Sequence, residues 1–289
     1  MAITRRGVLG GALLAAAGAA AASTAPHLFG WDRPPVRGGY AAAADALDVV
    51  AGANVTVRYY VATAEPVVAF TFDDGPGPNW TPMVLDALAA AQVPATFFMV
   101  GRHLEKYADL VRDRLAGHEV GNHSWSHADL ATLDLAGVNA ELTRTHRLIQ
   151  QVTGKAPTLL RPPFGHLGGS TLLAADALGY DVVLWSQEMH ERRYGSRPGD
   201  QVTDIVNSVR PGSIILAHDI GQNQRLVTLR HLGEMFDGIK ARGFRFATVS
   251  DLVAMGTAGK APASATGTHV TATANAMGTV ATAPAGRVH

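Results

Sequence analysis

The sequence predicts an α/β fold built around about seven parallel strands, and two observations lead to this prediction. Between Pro66 and Met255, seven short runs rich in Val, Ile, Leu and Phe alternate with longer segments of helical spacing. Strands that alternate with helices pair in parallel, either in a barrel or in an open doubly wound sheet. Polar motifs follow four of the runs, and four strand ends at one site favour a closed or nearly closed barrel.

The seven predicted strands follow one another in a simple order. They are PVVAFTF, ATFFMV, HEVGNH, TLLR, YDVVLWS, SIILAH and FRFATV. Helical spacing fills the intervals between them. One helix is expected after a cap at Asn79, a second ends at Gly117, and a third ends at Gly154.

The flanking segments differ from this domain, which is predicted to span residues 66–255. Residues 1–25 carry Arg5 and Arg6 before an Ala- and Gly-rich apolar run, which is typical of an export signal and resembles the twin-arginine type. An ordinary secretory signal is the alternative. Residues 26–65 are expected to be a lead-in, either a linker or an edge addition to the domain. Residues 256–289 contain no acidic residue and are mostly Ala, Thr and Gly, so we expect a disordered tail.

Composition narrows the classes of function. Lys and Arg number 24, as do Asp and Glu, so no overall basic field favours a nucleic-acid partner. The apolar run near the N-terminus is short and weakly hydrophobic for a membrane span, so we expect an exported monomer, extracellular or in the cell envelope, without a stable span after signal cleavage. The chain has no cysteine, which excludes thiolate metal sites and a Cys nucleophile.

Two motifs suggest a metal site. HSWSH sets His123 and His127 four residues apart, which on a helical turn would put both imidazoles on one face. A catalytic zinc usually has three protein ligands, so a carboxylate from another strand end is the expected third one. FTFDDGPGP supplies Asp73 and Asp74 after the first strand. A set of two His and one carboxylate suits one divalent ion, for which we expect zinc, with cobalt or nickel as alternatives.

Four motifs, in chain order TFDDGP, HSWSH, RPPFG and ILAHD, begin at residues 71, 123, 161 and 215. Together they resemble the motif series of the polysaccharide deacetylase family, the nodulation-factor deacetylase homology domain. The resemblance covers about residues 67–252. It implies a distorted (β/α) barrel and the metal-dependent removal of acetyl groups from N-acetylated or O-acetylated sugars.

The resemblance also implies a role for each matched residue. The metal ligands would be Asp74, His123 and His127. Asp73 would be the general base that takes the proton of the attacking water, and His218 the general acid that protonates the leaving sugar amine.

Further roles concern orientation and substrate binding. Arg161 would orient Asp73 by a charge-assisted hydrogen bond, and the backbone N–H of Phe164, which stands where many members have Tyr, would face the tetrahedral oxyanion. Leu216 would line the pocket for the acetyl methyl. The expected substrate-binding residues are Pro163, Phe164, Leu216 and Trp125, although packing is an equal alternative for Trp125.

One motif departs from the family pattern. The family usually carries an Asp-x-x-Asp-Trp stretch after the fifth strand, whose carboxylate steadies the arginine or the catalytic histidine. Here the residues after Trp185 read SQEMHERRY, and Glu188 and Glu191 stand nearest to those acids.

The sequence therefore predicts an exported deacetylase acting on peptidoglycan, chitin or another acetylated glycan. Two alternatives stay open: a non-catalytic glycan-binding relative, and a C–N hydrolase acting on a small amide.

Overall fold

The structure is a computed structural model that describes residues 54–194 and 196–258. The predicted export signal, the lead-in up to residue 53 and residues 259–289 of the predicted tail lie outside the described residues and stay predictions. Residues 256–258, the first three of the predicted tail, form the end of the last helix instead.

The core of the fold is one parallel sheet. Its strands are β1 (Val57–Arg58), β2 (Val67–Asp73), β3 (Thr96–Met99), β4 (Glu119–Asn122), β5 (Leu159–Leu160), β6 (Asp181–Val183), β7 (Gln187–Glu188), β8 (Ile214–His218) and β9 (Arg245–Ala247). Eight of them follow the order β1-β6-β5-β4-β3-β2-β8-β7, and β9 pairs with the beginning of β2. The predicted α/β fold with parallel strands is confirmed.

The predicted number of about seven strands was too low, because β1 and β7 were not counted. β1 lies in the lead-in, outside the segment in which the seven strands were counted, and the two-residue β7 directly follows the run predicted for β6. β1 comes from the lead-in and pairs with β6, so this part of the lead-in is an edge addition rather than a linker. Beyond β1, Tyr60 forms an antiparallel bridge with Ser213 just before β8, which curls the sheet toward closure.

Helices surround the sheet. They are α1 (Trp80–Ala91), α2 (Gly101–Tyr107), α3 (Leu135–Thr153), α4 (Gly169–Ala177), α5 (Glu191–Tyr194), α6 (Pro198–Ser208), α7 (Asn223–Leu229), α8 (Leu232–Ala241) and α9 (Val249–Ala258). Short 3₁₀ turns cover Ala108–Leu110, Leu130–Thr132 and Pro163–Gly165. In the described chain, no helix has the length and apolar character needed to cross a bilayer.

The helix boundaries match the sequence in part. α3 ends as expected, with Gly154 in the left-handed region at φ 75°. α1 begins after Asn79, but the Asn79 side chain makes no capping hydrogen bond. The helix expected to reach Gly117 ends at Tyr107. Val111 is buried in the core from the turns that follow, so its apolar spacing reflects burial and not helix.

Strand β2 places the first motif, and every residue of β2 is buried. Val68, Phe70 and Phe72 pack in the cluster beneath α1 and α8, and burial of each Phe side chain contributes about 1.5–3 kcal/mol. The other face contributes Val67 and Ala69 to a cluster with residues of β3, β5, β6 and β8, which is the interior of the curled sheet. Because side chains alternate along a strand, Asp73 shares this inward face.

Candidate active site

The two aspartates of the first motif point in different directions because the backbone turns between them. Asp73 is the last residue of β2 and is 4% exposed. Asp74 has φ 79°, in the left-handed region that Asp tolerates better than most residues. The carbonyl of Asp74 lies 2.7 Å from Nδ1 of His103, so this nitrogen donates and braces the turn.

Three side chains converge on one point. Oδ1 of Asp74 lies 3.5 Å from Nε2 of His123 and 3.1 Å from Nε2 of His127. An ion with tetrahedral bonds of 2.0–2.1 Å separates its ligand atoms by about 3.3 Å. The donor types and their spacing therefore fit one divalent cation, and the three residues form a group that could hold a metal ion.

Neighbouring groups set the orientation of His123 and the charge of Asp74, two of the three candidate ligands. Nδ1 of His123 lies 2.6 Å from the carbonyl oxygen of Arg161. Since a carbonyl only accepts, Nδ1 carries the proton and Nε2 faces Asp74. Burial would raise the pKa of the Asp74 carboxyl, but hydrogen bonds from His123 and His127, together with the charges of His123 and His218, outweigh it and hold this pKa far below its ordinary value. Asp74 is therefore ionised at neutral pH.

The segment from His123 to His127 is an irregular loop, so the expected helical turn was wrong. The ring centroids of the two histidines are nonetheless 5.1 Å apart. Glu141 on α3 accepts the backbone N–H groups of Trp125 and Ser126 at 2.9 and 2.8 Å. The loop thus satisfies its backbone without a helix.

Arg161 holds Asp73 from within the sheet. Its Nη1 lies 2.7 Å from Oδ1 of Asp73, and the Arg161 side chain is 0% exposed. The remaining donors reach Oγ1 of Thr71 and the carbonyls of Val183 and Leu184 at 2.7–3.0 Å. Oδ2 of Asp73 lies 3.7 Å from Nε2 of His123, so this second oxygen faces the candidate metal ligands.

The SQEMHERRY stretch, which departs from the family pattern, supplies a carboxylate to His218. Nδ1 of His218, at the end of β8, lies 2.8 Å from Oε1 of Glu191, and both side chains are largely buried. The acceptor at Nδ1 fixes the ring tautomer and makes Nε2 the nitrogen that gains or loses a proton. Glu188 instead lies 3.8 Å from the half-exposed His190.

The expected substrate-binding residues fall into two places. Phe164 is 58% exposed, and its ring lies edge-on to His127 with centroids 4.8 Å apart. Pro163, which precedes Phe164 in the chain, is buried, and so is Leu216 on β8. The Trp125 ring packs beneath the Arg144 guanidinium, 3.4 Å from the ring centroid, and against Gly101 of α2, where an added Cβ atom would overlap it. The structure places Trp125 in the packing between α2 and α3.

Sequence reasoning missed two residues that shape the site. His103 braces Asp74, and Glu141 holds the loop between the two histidines. A signal for Glu141 exists in the sequence, because this acid stands next to the inward-facing Leu142 and three residues after the inward-facing Val138. His103 carries no comparable signal.

Comparisons with known proteins agree with this geometry. A family model described as polysaccharide deacetylase matches residues 60–183. The chain is 35% identical over 200 residues to a peptidoglycan-N-acetylglucosamine deacetylase of Bacillus cereus, covering 68% of this chain and 92% of the relative. It is 40% identical over 161 residues to a chitooligosaccharide deacetylase of Sinorhizobium fredii, covering 54% of this chain and 74% of the relative.

A solved structure extends the likeness to the fold. It is a peptidoglycan N-acetylglucosamine deacetylase in complex with 4-naphthalen-1-yl-N-oxidanyl-benzamide, with a TM-score of 0.65 and 29% identity. The match covers 68% of this chain and 92% of that one.

Proposed function

Because this chain belongs to the polysaccharide deacetylase family, we propose that it is an exported, metal-dependent hydrolase that removes N-acetyl groups from a cell-wall or chitin-like glycan. The observation that carries the proposal is the meeting of the Asp74–His123–His127 group with Asp73 and His218 at the carboxyl ends of β2, β4 and β8. Active sites of parallel barrels form at this end.

Asp74, His123 and His127 would hold the divalent ion, with zinc expected first and cobalt or nickel as alternatives. When bound, such an ion supplies Lewis-acid activation of the acetyl carbonyl and of a water molecule.

Asp73 is the proposed general base. Arg161 occupies its Oδ1, so Oδ2, on the side of His123, is the oxygen that accepts the proton of the attacking water. The buried ion pair fixes the carboxylate in one orientation, which keeps the base and the acetyl carbon in a productive geometry.

The oxyanion and the leaving group need a donor each. The backbone of Phe164 has φ 61°, next to His127, and its N–H is the proposed donor to the oxyanion. His218 then gives its Nε2 proton to the sugar nitrogen as the C–N bond breaks, and acetate and a free amine result. Glu191 stabilises the imidazolium that donates.

The substrate class and the location rest on two kinds of support. The relatives are named for peptidoglycan and for chitooligosaccharides, and both contain N-acetylglucosamine. Residues 1–25 have the pattern of an export signal, which fits a substrate outside the cytoplasm.

The test is acetate release by the purified protein without residues 1–25. The protein is stripped with a chelator, reloaded with Zn²⁺, Co²⁺ or Ni²⁺, and offered N-acetylated chito-oligosaccharides, peptidoglycan fragments, O-acetylated glycans and small amides. We expect metal-dependent acetate release from an N-acetylated glycan, lost in Asp73→Asn and His218→Ala. Binding to a glycan without any acetate release would favour the non-catalytic relative, and turnover of small amides alone would favour the C–N hydrolase.

A further inference from the structure

Asp219 is a buried carboxylate that the proposed mechanism does not use. It follows His218 directly and is 0% exposed. Its Oδ1 accepts the backbone N–H of Gly75 at 3.0 Å, and its Oδ2 accepts the hydroxyl of Thr81 at 2.6 Å. Because an acid is costly to bury, both hydrogen bonds have to offset a substantial desolvation cost.

These hydrogen bonds reach the turn that carries the metal ligand. Gly75 is the residue after Asp74, and Oγ1 of Thr81 also accepts the N–H of Gly77 at 2.8 Å. Asp219 therefore holds one end of the turn directly and the other through Thr81.

The two glycines of the turn are required by this contact. A Cβ atom on Gly75 would overlap the carboxylate of Asp219, and one on Gly77 would overlap the side chain of Ile220. Neither glycine has a left-handed φ, so close approach and not backbone conformation explains them. The turn and the end of β8 thus fit together without a gap.

The opposite side of the turn is held by other elements. Nδ1 of His103 donates to the carbonyl of Asp74 at 2.7 Å, and the N–H of Val100 donates to the carbonyl of Gly75 at 3.0 Å. Asp219 supplies the matching contact from β8, the strand that ends in His218.

We propose that Asp219 is a positioning residue that fixes the Asp74 turn against β8, so that the metal ligand and His218 keep their relative places. The inference rests on the proposed function, since it assigns Asp219 to the same site. Groups that orient metal ligands from behind typically contribute 10–100-fold to metal affinity or activity. The loss of either hydrogen bond of Asp219 should therefore weaken metal binding by Asp74.

The experiment measures Zn²⁺ binding to metal-free protein by calorimetry, together with the visible absorption spectrum of the Co²⁺ form. Asp219→Asn retains an acceptor for Gly75 but loses the acceptor for Thr81, and Asp219→Ala loses both. We expect the Zn²⁺ Kd to rise about tenfold in Asp219→Asn and further in Asp219→Ala, with an altered Co²⁺ spectrum. Thr81→Val keeps the carboxylate and should raise the Kd in the same direction.

Glu119→Gln is the matched control. Oε2 of Glu119 accepts the hydroxyl of Thr96 at 2.9 Å, at the opposite ends of β3 and β4, so this variant changes a carboxylate–threonine pair far from the ligands. Its Zn²⁺ Kd should stay within about twofold of the wild type, the scatter expected for an independent site.

An unchanged Kd and Co²⁺ spectrum in both Asp219→Asn and Thr81→Val would overturn the proposal, even if the melting temperature falls as in the control. If Asp219→Ala does not fold, these two variants still decide the matter. The readout needs no substrate, so a wild type that binds Zn²⁺ but releases no acetate would refute the proposed function and leave the role of Asp219 measurable.

Discussion

Nδ1 of His218 lies 2.8 Å from Oε1 of Glu191, which joins the end of β8 to the first residue of α5. The family pattern carries an Asp-x-x-Asp-Trp stretch whose carboxylate steadies either the arginine or the catalytic histidine, and this chain lacks that stretch. A Glu side chain at the start of a four-residue helix reaches the same kind of partner, a buried imidazole at a strand end. The departure in sequence thus retains a carboxylate beside the proposed acid.

Glu191→Gln should lower kcat for acetate release about 10–100-fold, with little change in KM. The amide still accepts from Nδ1 but no longer stabilises the imidazolium that donates the proton. Steady-state kinetics on an N-acetylated oligosaccharide provide the measurement. Glu188→Gln is the control, because the ion pair described for Glu188 is with the half-exposed His190. An equal loss of kcat in both variants would contradict the role of Glu191.

Mutations of Asp73 and Asp74 should have different effects, because the proposed role of Asp74 is metal binding and that of Asp73 is proton transfer. Asp74→Ala removes one of the three proposed metal ligands, so we expect Zn²⁺ binding to fall below detection in calorimetry at micromolar protein. Asp73→Asn leaves all three ligands and an acceptor for Arg161, so Zn²⁺ affinity should persist while acetate release falls at least about 10²-fold. Retained activity in Asp73→Asn would rule out this residue as the base.

The sequence predicted the elements whose signal is local. The seven predicted runs correspond to β2, β3, β4, β5, β6, β8 and β9. The signal is strongest for β2 and β3, which are buried along their whole length and therefore leave continuous apolar segments. The convergence of the motifs followed from parallel pairing, which brings all strand ends to one edge.

The rest depends on contacts between distant residues. Nothing local distinguishes Glu191 from Glu188, and their partners are set by where the chain passes β8. Asp219 binds Gly75 across 144 positions of sequence, and the loop from His123 to His127 is shaped by Glu141 on α3. HSWSH does not form the expected helical turn because the Glu141 carboxylate accepts the backbone N–H groups of Trp125 and Ser126. These donors therefore need no helical hydrogen bonds.

Asp219 should make the stability of the metal-free protein depend on pH. Burial, and to a smaller extent the charge of Asp74, raises the pKa of Asp219 from 3.8 to about 7. The folded state therefore binds a proton that the unfolded state has lost between these values. This contribution to stability is complete below pH 3.8 and is lost as pH rises through about 7.

Asp219→Asn removes this titration and adds a loss of hydrogen bonding that does not vary with pH. As pH rises from 5 to 8, the wild type should therefore lose unfolding free energy relative to the variant, by up to about 1.4 kcal/mol per pH unit. Urea unfolding at both pH values, with chelator present, gives the measurement. A difference that stays constant with pH would show that Asp219 does not titrate in this range.

Arg161→Met should be far more destabilising than the removal of a more exposed arginine. The change leaves Asp73 as a buried charge without its partner, and it leaves the carbonyls of Val183 and Leu184 without their donors. We expect a loss of about 3–5 kcal/mol in the unfolding free energy, measured by urea denaturation at pH 7.

Arg58→Met is the comparison for Arg161→Met. Arg58 pairs with Asp181 at 3.1 Å, but the two side chains are 26% and 36% exposed, so this pair should contribute only about 0–1 kcal/mol. Asp73→Leu combined with Arg161→Met should recover part of the loss, because no buried charge then remains uncompensated. Equal costs for the two arginine variants would mean that water reaches Asp73 and solvates it, and that Arg161 is not needed to keep the base in place.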